Sequence, residues 1–410
     1  MTLKKVLIIG GGASGLVAAI SAARKGAAVV LIEGQSRVGK KILATGNGRC
    51  NLTNITTGKR HFHGENPEFI EGALSQVTVE ETLLFFQLIG LETKVEEDGK
   101  VYPVTDQASS VLDLLRYEVE KLQVRQVLGD PVVTLYKKDH QFIVETESNK
   151  RIEGDAVILA TGGKSAPKLG SDGSGYDLGK KLGHSLTPVF PALVQIKCDN
   201  RSFRNLKGVK IQGRIHLESE GKILRTEAGE VLFTDYGVSG PPVLQLSRGV
   251  QECLQNHKEP WVVIDFFPEI TEEKLYETLW MLVSLDGKKP FDFSLIGILN
   301  KKVIPVIMKE SGINSIKKPC EEITDMEIKK LARGLKNCRL KSSGTLSWKD
   351  SQVTAGGFSS GEIHPGTLES KILPGLYFAG EIMDVDGDCG GFNLQWAWSS
   401  GIIAGERASK

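Results

Sequence analysis

Three glycines, Gly10, Gly12 and Gly15, follow the β-branched run Val6–Ile9, and Glu33 comes 18 positions after Gly15. This set of residues can hold a dinucleotide. Gly10 permits a tight turn, Gly12 lets a pyrophosphate approach the backbone, and Gly15 lets a helix pack closely on a strand. The start of that helix offers unpaired N–H groups and the positive end of a dipole to the phosphates. Glu33 can accept hydrogen bonds from the ribose hydroxyls of an adenosine. The elements needed to position these groups are legible around them. Val6–Ile9 reads as a buried strand, Ala27–Ile32 as the next parallel strand, and the stretch between as a helix.

The chain has 410 residues, which is beyond the size at which one core usually stops growing, so more than one domain is expected. Hydrophobic residues make up 40% and charged residues 25%, as in ordinary enzymes, and a net charge of +1 singles out no partner. Val6–Ala23 is free of charge but carries too many Gly and Ser residues for a membrane span. The first strand begins so early that no cleavable leader is expected. Six scattered cysteines form no Cys-x-x-Cys and no zinc spacing, which predicts reduced thiols, a cytoplasmic location and no metal.

Two further segments suggest the same kind of site. Asp155-Ala-Val-Ile-Leu-Ala-Thr-Gly-Gly163 reads as a buried parallel strand whose end passes close to a ligand. In Pro374-Gly-Leu-Tyr-Phe-Ala-Gly-Glu381, Leu376–Ala379 reads as a strand. Gly380 brings backbone against a ligand there, and Glu381 offers a carboxylate to a polyol. Gly390-Gly-Phe-Asn-Leu-Gln-Trp-Ala397 begins a final helix, and its N-terminal N–H groups could face the N1–O2 edge of a reduced flavin.

Together these motifs resemble the two-dinucleotide-binding-fold flavoproteins. Gly46-Asn-Gly-Arg-Cys-Asn-Leu-Thr-Asn54, Leu232-Phe-Thr-Asp-Tyr-Gly-Val-Ser-Gly-Pro241, Thr354-Ala-Gly-Gly357 and the block Glu381–Trp398 resemble, more narrowly, the BaiN/RdsA-type NAD(P)/FAD-dependent oxidoreductase family. The resemblance covers the whole chain. It implies an α/β fold in which a discontinuous Rossmann-like FAD domain (1–192 and 348–410) carries an insertion (193–347). The insertion is expected to be β-rich over 193–267 and mainly helical over 268–347. Within it, Ser239 or Gly240 can cap a helix, and Thr324 with Glu327 forms a capping-box pattern.

The resemblance implies extended FAD, with pyrophosphate at Gly10, Gly12, Ala13, Ser14 and Gly15, and adenosine ribose at Glu33 and Gly34. Lys41, Gly46, Asn47, Thr161 and Gly162 are further candidate contacts. Gly380 and Glu381 would hold the ribitol, and Gly391, Phe392, Asn393 and Leu394 the flavin ring. NADH or NADPH would visit as a transient reductant, since no second complete nucleotide fold is visible. The Gly170–Tyr176 stretch is expected over the flavin or substrate side.

Three residues are candidates for the chemistry. Arg49 could stabilise negative charge or merely hold its loop. Cys50, beside that cation, could be a low-pKa thiol or a packing residue, and packing is the simpler reading. Tyr236 is a possible proton donor, and Asp235 beside it stands where the resemblance implies His in several relatives, which argues against an obligatory histidine acid there. His61, His63, His184 and His364 could act as acids or bases, although a lone histidine is more often structural.

Positive charge concentrates in the insertion. Between Asn300 and Lys341 there are eleven Lys or Arg against five Asp or Glu, and Lys197–Arg214 holds six basic residues. Such runs are usually solvated faces, yet they could also meet phosphates. The expected activity is hydride transfer through flavin N5 to a carbon–carbon double bond. The family is implied to include reduction of a dehydro bile acid and of uridine to dihydrouridine in ribosomal RNA. Uridine in ribosomal RNA is the first candidate substrate, and the alternatives are a small-molecule flavin reductase or oxidase acting on a dehydro-steroid or an amine, and a non-catalytic flavin- or RNA-binding scaffold. No membrane partner is expected, and no protein partner is named.

Overall fold

The computed structural model describes residues 3–199 and 201–410, the side chain of residue 201 excepted. The chain divides into two compact units, residues 3–191 with 348–410, and residues 192–347.

The first unit is built on a five-stranded parallel sheet in the order Leu376–Phe378, Ala156–Leu159, Lys5–Ile9, Ala28–Glu33, Arg125–Leu128. The central strands are unbroken apolar runs buried on both faces, as parallel strands covered by helices must be. Ile9 pairs with both Leu159 and Ile32, and Leu159 with Phe378. This register brings Gly10, Glu33, Thr161 and Gly380 to one edge of the sheet, past the carboxyl ends of the strands, where open α/β sheets bind ligands.

Two helices converge on that edge. Ala13–Arg24 follows the first glycine turn, and Phe392–Ala408 closes the chain. They pack backbone to backbone. A Cβ on Gly401 would lie 2.4 Å from the Ser14 carbonyl oxygen, and one on Gly405 would lie 2.4 Å from that of Ala18. Any side chain at either position would push the helices apart.

The second unit is a closed six-stranded barrel: Ile196–Cys198, Gly237–Ser239, Lys222–Phe233, Lys210–Ser219, Pro260–Asp265 and Cys338–Thr345. Pro241–Gln255 begins at Gly240 with proline in its first turn, and its apolar face packs on the barrel. Asp325–Lys336 starts with a complete capping box between Thr324 and Glu327. The stretch 268–347 is not helical to its end, because Cys338–Thr345 pairs with Pro260–Asp265 and Ile196–Cys198 to close the barrel. Its alternating burial is that of a strand with one face inward.

Candidate functional site

At the first glycine turn, Gly10 has φ +105°, and a Cβ there would meet the Ala160 carbonyl oxygen at 2.4 Å. A Cβ on Gly15 would fall 1.9 Å from the Gly10 oxygen, so helix and strand touch there as the spacing predicts. Gly12 differs, since a Cβ would have no neighbour within 4 Å. The Ala13–Arg24 helix opens at Gly12 with no side-chain cap and no acidic residue in its first turn. Its N–H groups therefore face open space at the sheet edge. Ser14 is turned away from that space and bonds the Ala379 carbonyl oxygen (3.1 Å).

Glu33 is held in place by the backbone. One carboxylate oxygen accepts from Gly11 N and the other from Gln35 N, both at 2.7 Å. Burial pushes its carboxyl up from the usual range, while these two N–H groups and nearby Lys40 pull it down. A carboxylate has about four lone-pair positions, so two remain for the hydroxyls of a ribose. Gly34 continues the turn beside Pro131, whose Cβ would lie 3.2 Å from a Cβ at Gly34.

The Ala-Thr-Gly strand end carries a second signature. The hydroxyls of Thr161, Ser171 and Tyr176 are buried with no hydrogen-bond partner. Buried polar atoms rarely stay unsatisfied. Gly162 takes a left-handed conformation (φ +70°), and a Cβ on it would lie 3.2 Å from the Ser171 hydroxyl. The Gly170–Tyr176 stretch begins beside Gln35 and Glu33, reaches Thr161 at Gly175 and brings Tyr176 within the influence of Glu381 and Asp384, so it spans the edge from Glu33 toward Glu381. The open face of Gly12, the spare acceptors of Glu33 and the three orphaned hydroxyls fit an extended dinucleotide.

Glu381 bonds Lys41 (2.8 Å) through one oxygen and the Thr354 N–H (2.7 Å) through the other. The Thr354 hydroxyl in turn accepts from Lys164 N and Ser165 N, fixing the loop after Gly162. Thr354 stands in the Thr354-Ala-Gly-Gly357 motif, but the sequence assigns it no role of its own. Its role depends on contacts with residues about 190 positions away, which leave no local pattern. Gly380 donates its N–H to the Ser400 hydroxyl (2.9 Å) and accepts from the Trp396 indole (3.2 Å).

The 46–54 loop and the start of the last helix are in contact. Asn54 donates to the Gly390 carbonyl (3.0 Å), Trp398 to that of Leu52 (2.9 Å), and Thr53 to Gln395 (2.5 Å). Asn51 accepts from Gly391 N (3.2 Å). Gly46 and Asn47 are both left-handed (φ +55° and +56°). The final helix begins at Gly391 (φ +101°) with no side-chain cap. Asn393 turns back to bond the N–H and carbonyl of Gly387, which leaves Leu394 and its amide in the first turn. Phe392 stacks on His61 (4.1 Å, 10°).

Among the candidates for chemistry, Arg49 is bonded to Glu96 and Asp106 and lies over the Tyr102 ring at 4.0 Å. Those carboxylates push its guanidinium pKa up and brace the loop. Cys50 is fully buried, and burial pushes its thiol up to about 12, against a weaker pull from Thr45. That environment opposes the low-pKa thiol suggested by the Arg49–Cys50 dipeptide. Tyr236 is half-buried in the barrel unit, and its carbonyl accepts from Cys198 N (2.9 Å). Asp235 beside it is ion-paired to Lys207 (2.6 Å). Among the described residues no cluster of His, Cys, Asp or Glu could hold a metal, and no helix is long and apolar enough to cross a membrane.

The HI0933-like protein Rossmann domain family matches residues 4–407. The chain belongs to this family. It is an oxidoreductase of the flavoprotein class. The 3-dehydro-bile acid delta(4,6)-reductase of Clostridium scindens is 42% identical over 410 residues, covering 100% of both chains. The ribosomal RNA dihydrouridine synthase of Escherichia coli is 29% identical over 397 residues, covering 96% of this chain and 95% of that one. Among solved structures, a 3-ketosteroid delta1-dehydrogenase from Sterolibacterium denitrificans shares the fold, with TM-score 0.50, 11% identity and 99% coverage of each chain.

Proposed function

We propose that the chain is an FAD-dependent reductase of a carbon–carbon double bond conjugated to a carbonyl, in a small substrate of steroid size. The observation that carries the reading is the full-length 42% identity to the bile acid reductase. The convergence of the Gly12, Glu33, Thr161 and Glu381 segments on one sheet edge supports the cofactor.

When bound, FAD supplies a hydride at N5. The chain's own residues bind and orient it. Glu33 takes the ribose hydroxyls, and the uncapped N–H groups at Gly12, Ala13 and Ser14 take the pyrophosphate. Thr161 and Ser171 offer their free hydroxyls along the same edge. Lys41 and Glu381 would hold the ribitol, and the amides at Asn393 and Leu394 would stabilise negative charge on the flavin ring. NADH or NADPH is the proposed two-electron donor.

A ribosomal RNA substrate is the second reading, favoured by the basic residues of the barrel unit. Many of those charges are already paired. Lys318, Lys329, Lys336, Arg339 and Lys341 bond Glu327, Asp325, Asp265, Glu218 and Glu259, and Lys210 bonds Glu230. A cation held by a carboxylate displaces fewer of the counterions condensed on a phosphate backbone. The test is anaerobic reduction of the yellow protein with NADH or NADPH, followed by mixing with a 3-oxo-4-ene steroid or with unmodified ribosomal RNA. Rapid reoxidation by the steroid alone supports the first reading. Reoxidation by RNA alone, with dihydrouridine formed, replaces it with the second.

A further inference from the structure

Reducing an enone requires a proton as well as a hydride, and neither Arg49 nor buried Cys50 is placed to give one. A different group lies at the start of the last helix. Asp388, 9% exposed in its side chain, accepts from His63 Nε2 at 2.9 Å, and its other oxygen lies 3.5 Å from His61 Nδ1. The three residues are locked together by backbone. Phe62–His63 pairs antiparallel with Asp386–Gly387, and Asp388 N donates to the His61 carbonyl (2.8 Å). Asn393, in the first turn of the helix, donates to the Asp388 carbonyl (3.2 Å). The His61 ring lies flat on Phe392, the first residue of that helix.

We propose that His63, oriented by Asp388, is the proton donor of the reaction, and that Asp388 is a positioning residue. The inference rests on the reading of the site as an enone reductase. An ionised carboxylate can only accept, so His63 Nε2 must carry the proton of that bond. Its Nδ1 has no hydrogen-bond partner among the described residues, and the side chain is 27% exposed, so that nitrogen can reach a substrate. His61 is the less suitable donor, since Arg60 Nε points at its Nε2 (3.1 Å).

The step balances. Hydride leaves the N5–H bond of the reduced cofactor with its electron pair and forms a C–H bond at the β-carbon, and the π electrons move onto the carbonyl oxygen as an enolate. The enolate then forms a C–H bond at the α-carbon with the proton of His63 Nδ1, leaving a neutral imidazole that keeps its Nε2–H on Asp388. Solvent restores the proton. Other charged groups surround the pair. Besides Arg60, Lys59 is bonded to Glu68 and Glu71, Asp384 takes the Glu65 N–H, and Asp386 lies opposite His63 in the strand pair. Cys389, next in sequence, feels Lys100.

The test compares wild type, His63→Gln, His61→Gln and Asp388→Asn. Flavin content and the rate of flavin reduction are measured first. Reoxidation by a 3-oxo-4-ene steroid is then followed, with ring-nitrogen NMR spectra of the protein without substrate. A general acid contributes about 10²–10⁴-fold. His63→Gln is therefore expected to slow reoxidation by at least about 10²-fold, with flavin reduction and steroid KM kept. His61→Gln is expected to slow it far less. Asp388→Asn is expected to lose the Nε2–H tautomer of His63 in the spectra and to slow reoxidation in parallel. A yellow, steroid-reducing wild type matched by His63→Gln would overturn the donor alone, as would an unchanged tautomer in Asp388→Asn. A wild type that binds no flavin, or that the steroid never reoxidises, would overturn the reading of the site and the donor with it.

Discussion

Lys41 and Glu381 stand 340 residues apart in the chain and 2.8 Å apart in the fold. The same carboxylate takes the N–H of fully buried Thr354, so one side chain ties together three separated segments. Its two bonds differ in worth. The Lys41 pair is partly exposed, at 26% and 20%, and an ion pair of that kind contributes at most about 1 kcal/mol. Loss of the acceptor for a buried N–H costs about 1–3 kcal/mol. Glu381→Ala is therefore expected to destabilise the protein by about 2 kcal/mol more than Glu381→Gln, which keeps an acceptor. Urea unfolding of both variants measures the difference, and equal losses would show that the Thr354 bond is of no consequence.

The glycines at positions 12 and 15 separate binding from folding. At Gly15 an added methyl meets backbone at 1.9 Å, and Gly15→Ala is expected to cost about 1–3 kcal/mol or more. At Gly12 there is room, and φ −79° suits any residue, so Gly12→Ala should change stability by under about 1 kcal/mol. The methyl would nevertheless occupy the space where a pyrophosphate meets the backbone. Gly12→Ala is expected to fold normally and to purify with little flavin, as read from the visible absorbance per protein. A fully yellow Gly12→Ala protein would place the phosphates elsewhere.

What the sequence makes legible here is what lies close together along the chain. The run from Val6 to Glu33 specifies its strand, turn, helix and acid within one unit, and the structure has each of them. Thr324 and Glu327 announce their helix for the same reason. The barrel is a different matter. Ile196 meets Thr345 across about 150 residues, and Cys338–Thr345, rich in Ser and Gly, follows directly on a strongly amphipathic helix. Nothing local marks it as a closing strand. The ion pairs of the basic segment likewise come from strands far back in the chain, and His63 finds Asp388 across 325 residues. A residue's type says what chemistry it can do, but its partners decide whether it does that chemistry.

Cys50 illustrates the same distinction in a form that can be measured. Burial pushes its thiol up to about 12, so it stays protonated at pH 8. Native protein is expected to show no alkylation of Cys50 by iodoacetamide over hours, while partly exposed Cys389 reacts first. Cys50→Ala is expected to leave the rate of flavin reoxidation within about twofold of wild type. Fast labelling of Cys50, or a loss of about 10²-fold in Cys50→Ala, would make it the proton donor instead of His63.

His184 predicts how the first unit responds to acid. Its side chain is fully buried against Phe358 and Phe378, with Nδ1 on Glu362 (3.1 Å) and Nε2 on the Ser370 hydroxyl (2.8 Å). Ser370 already accepts the N–H groups of Ile372 and Leu373, so its proton points at the imidazole and the ring is held neutral. Burial lowers the His184 pKa below 6.5, and Glu362 opposes that only in part. The unfolded chain therefore binds a proton below pH 6.5 that the folded chain resists, and stability falls as pH drops from there to the lowered folded value. Burial pushes the Glu362 carboxyl up, but the bonds from Ser185 and the His184 ring N–H outweigh it and hold it below the usual carboxylate range, so it acts in a separate window, with its contribution lost as pH falls below about 4.5. Between pH 7 and 5 the slope from one such histidine is at most about 1.4 kcal/mol per pH unit. His184→Gln is expected to be less stable at pH 7.5 and to flatten this segment of the curve. Urea midpoints measured at half-unit steps check it, and an unchanged slope would assign the acid sensitivity to another group.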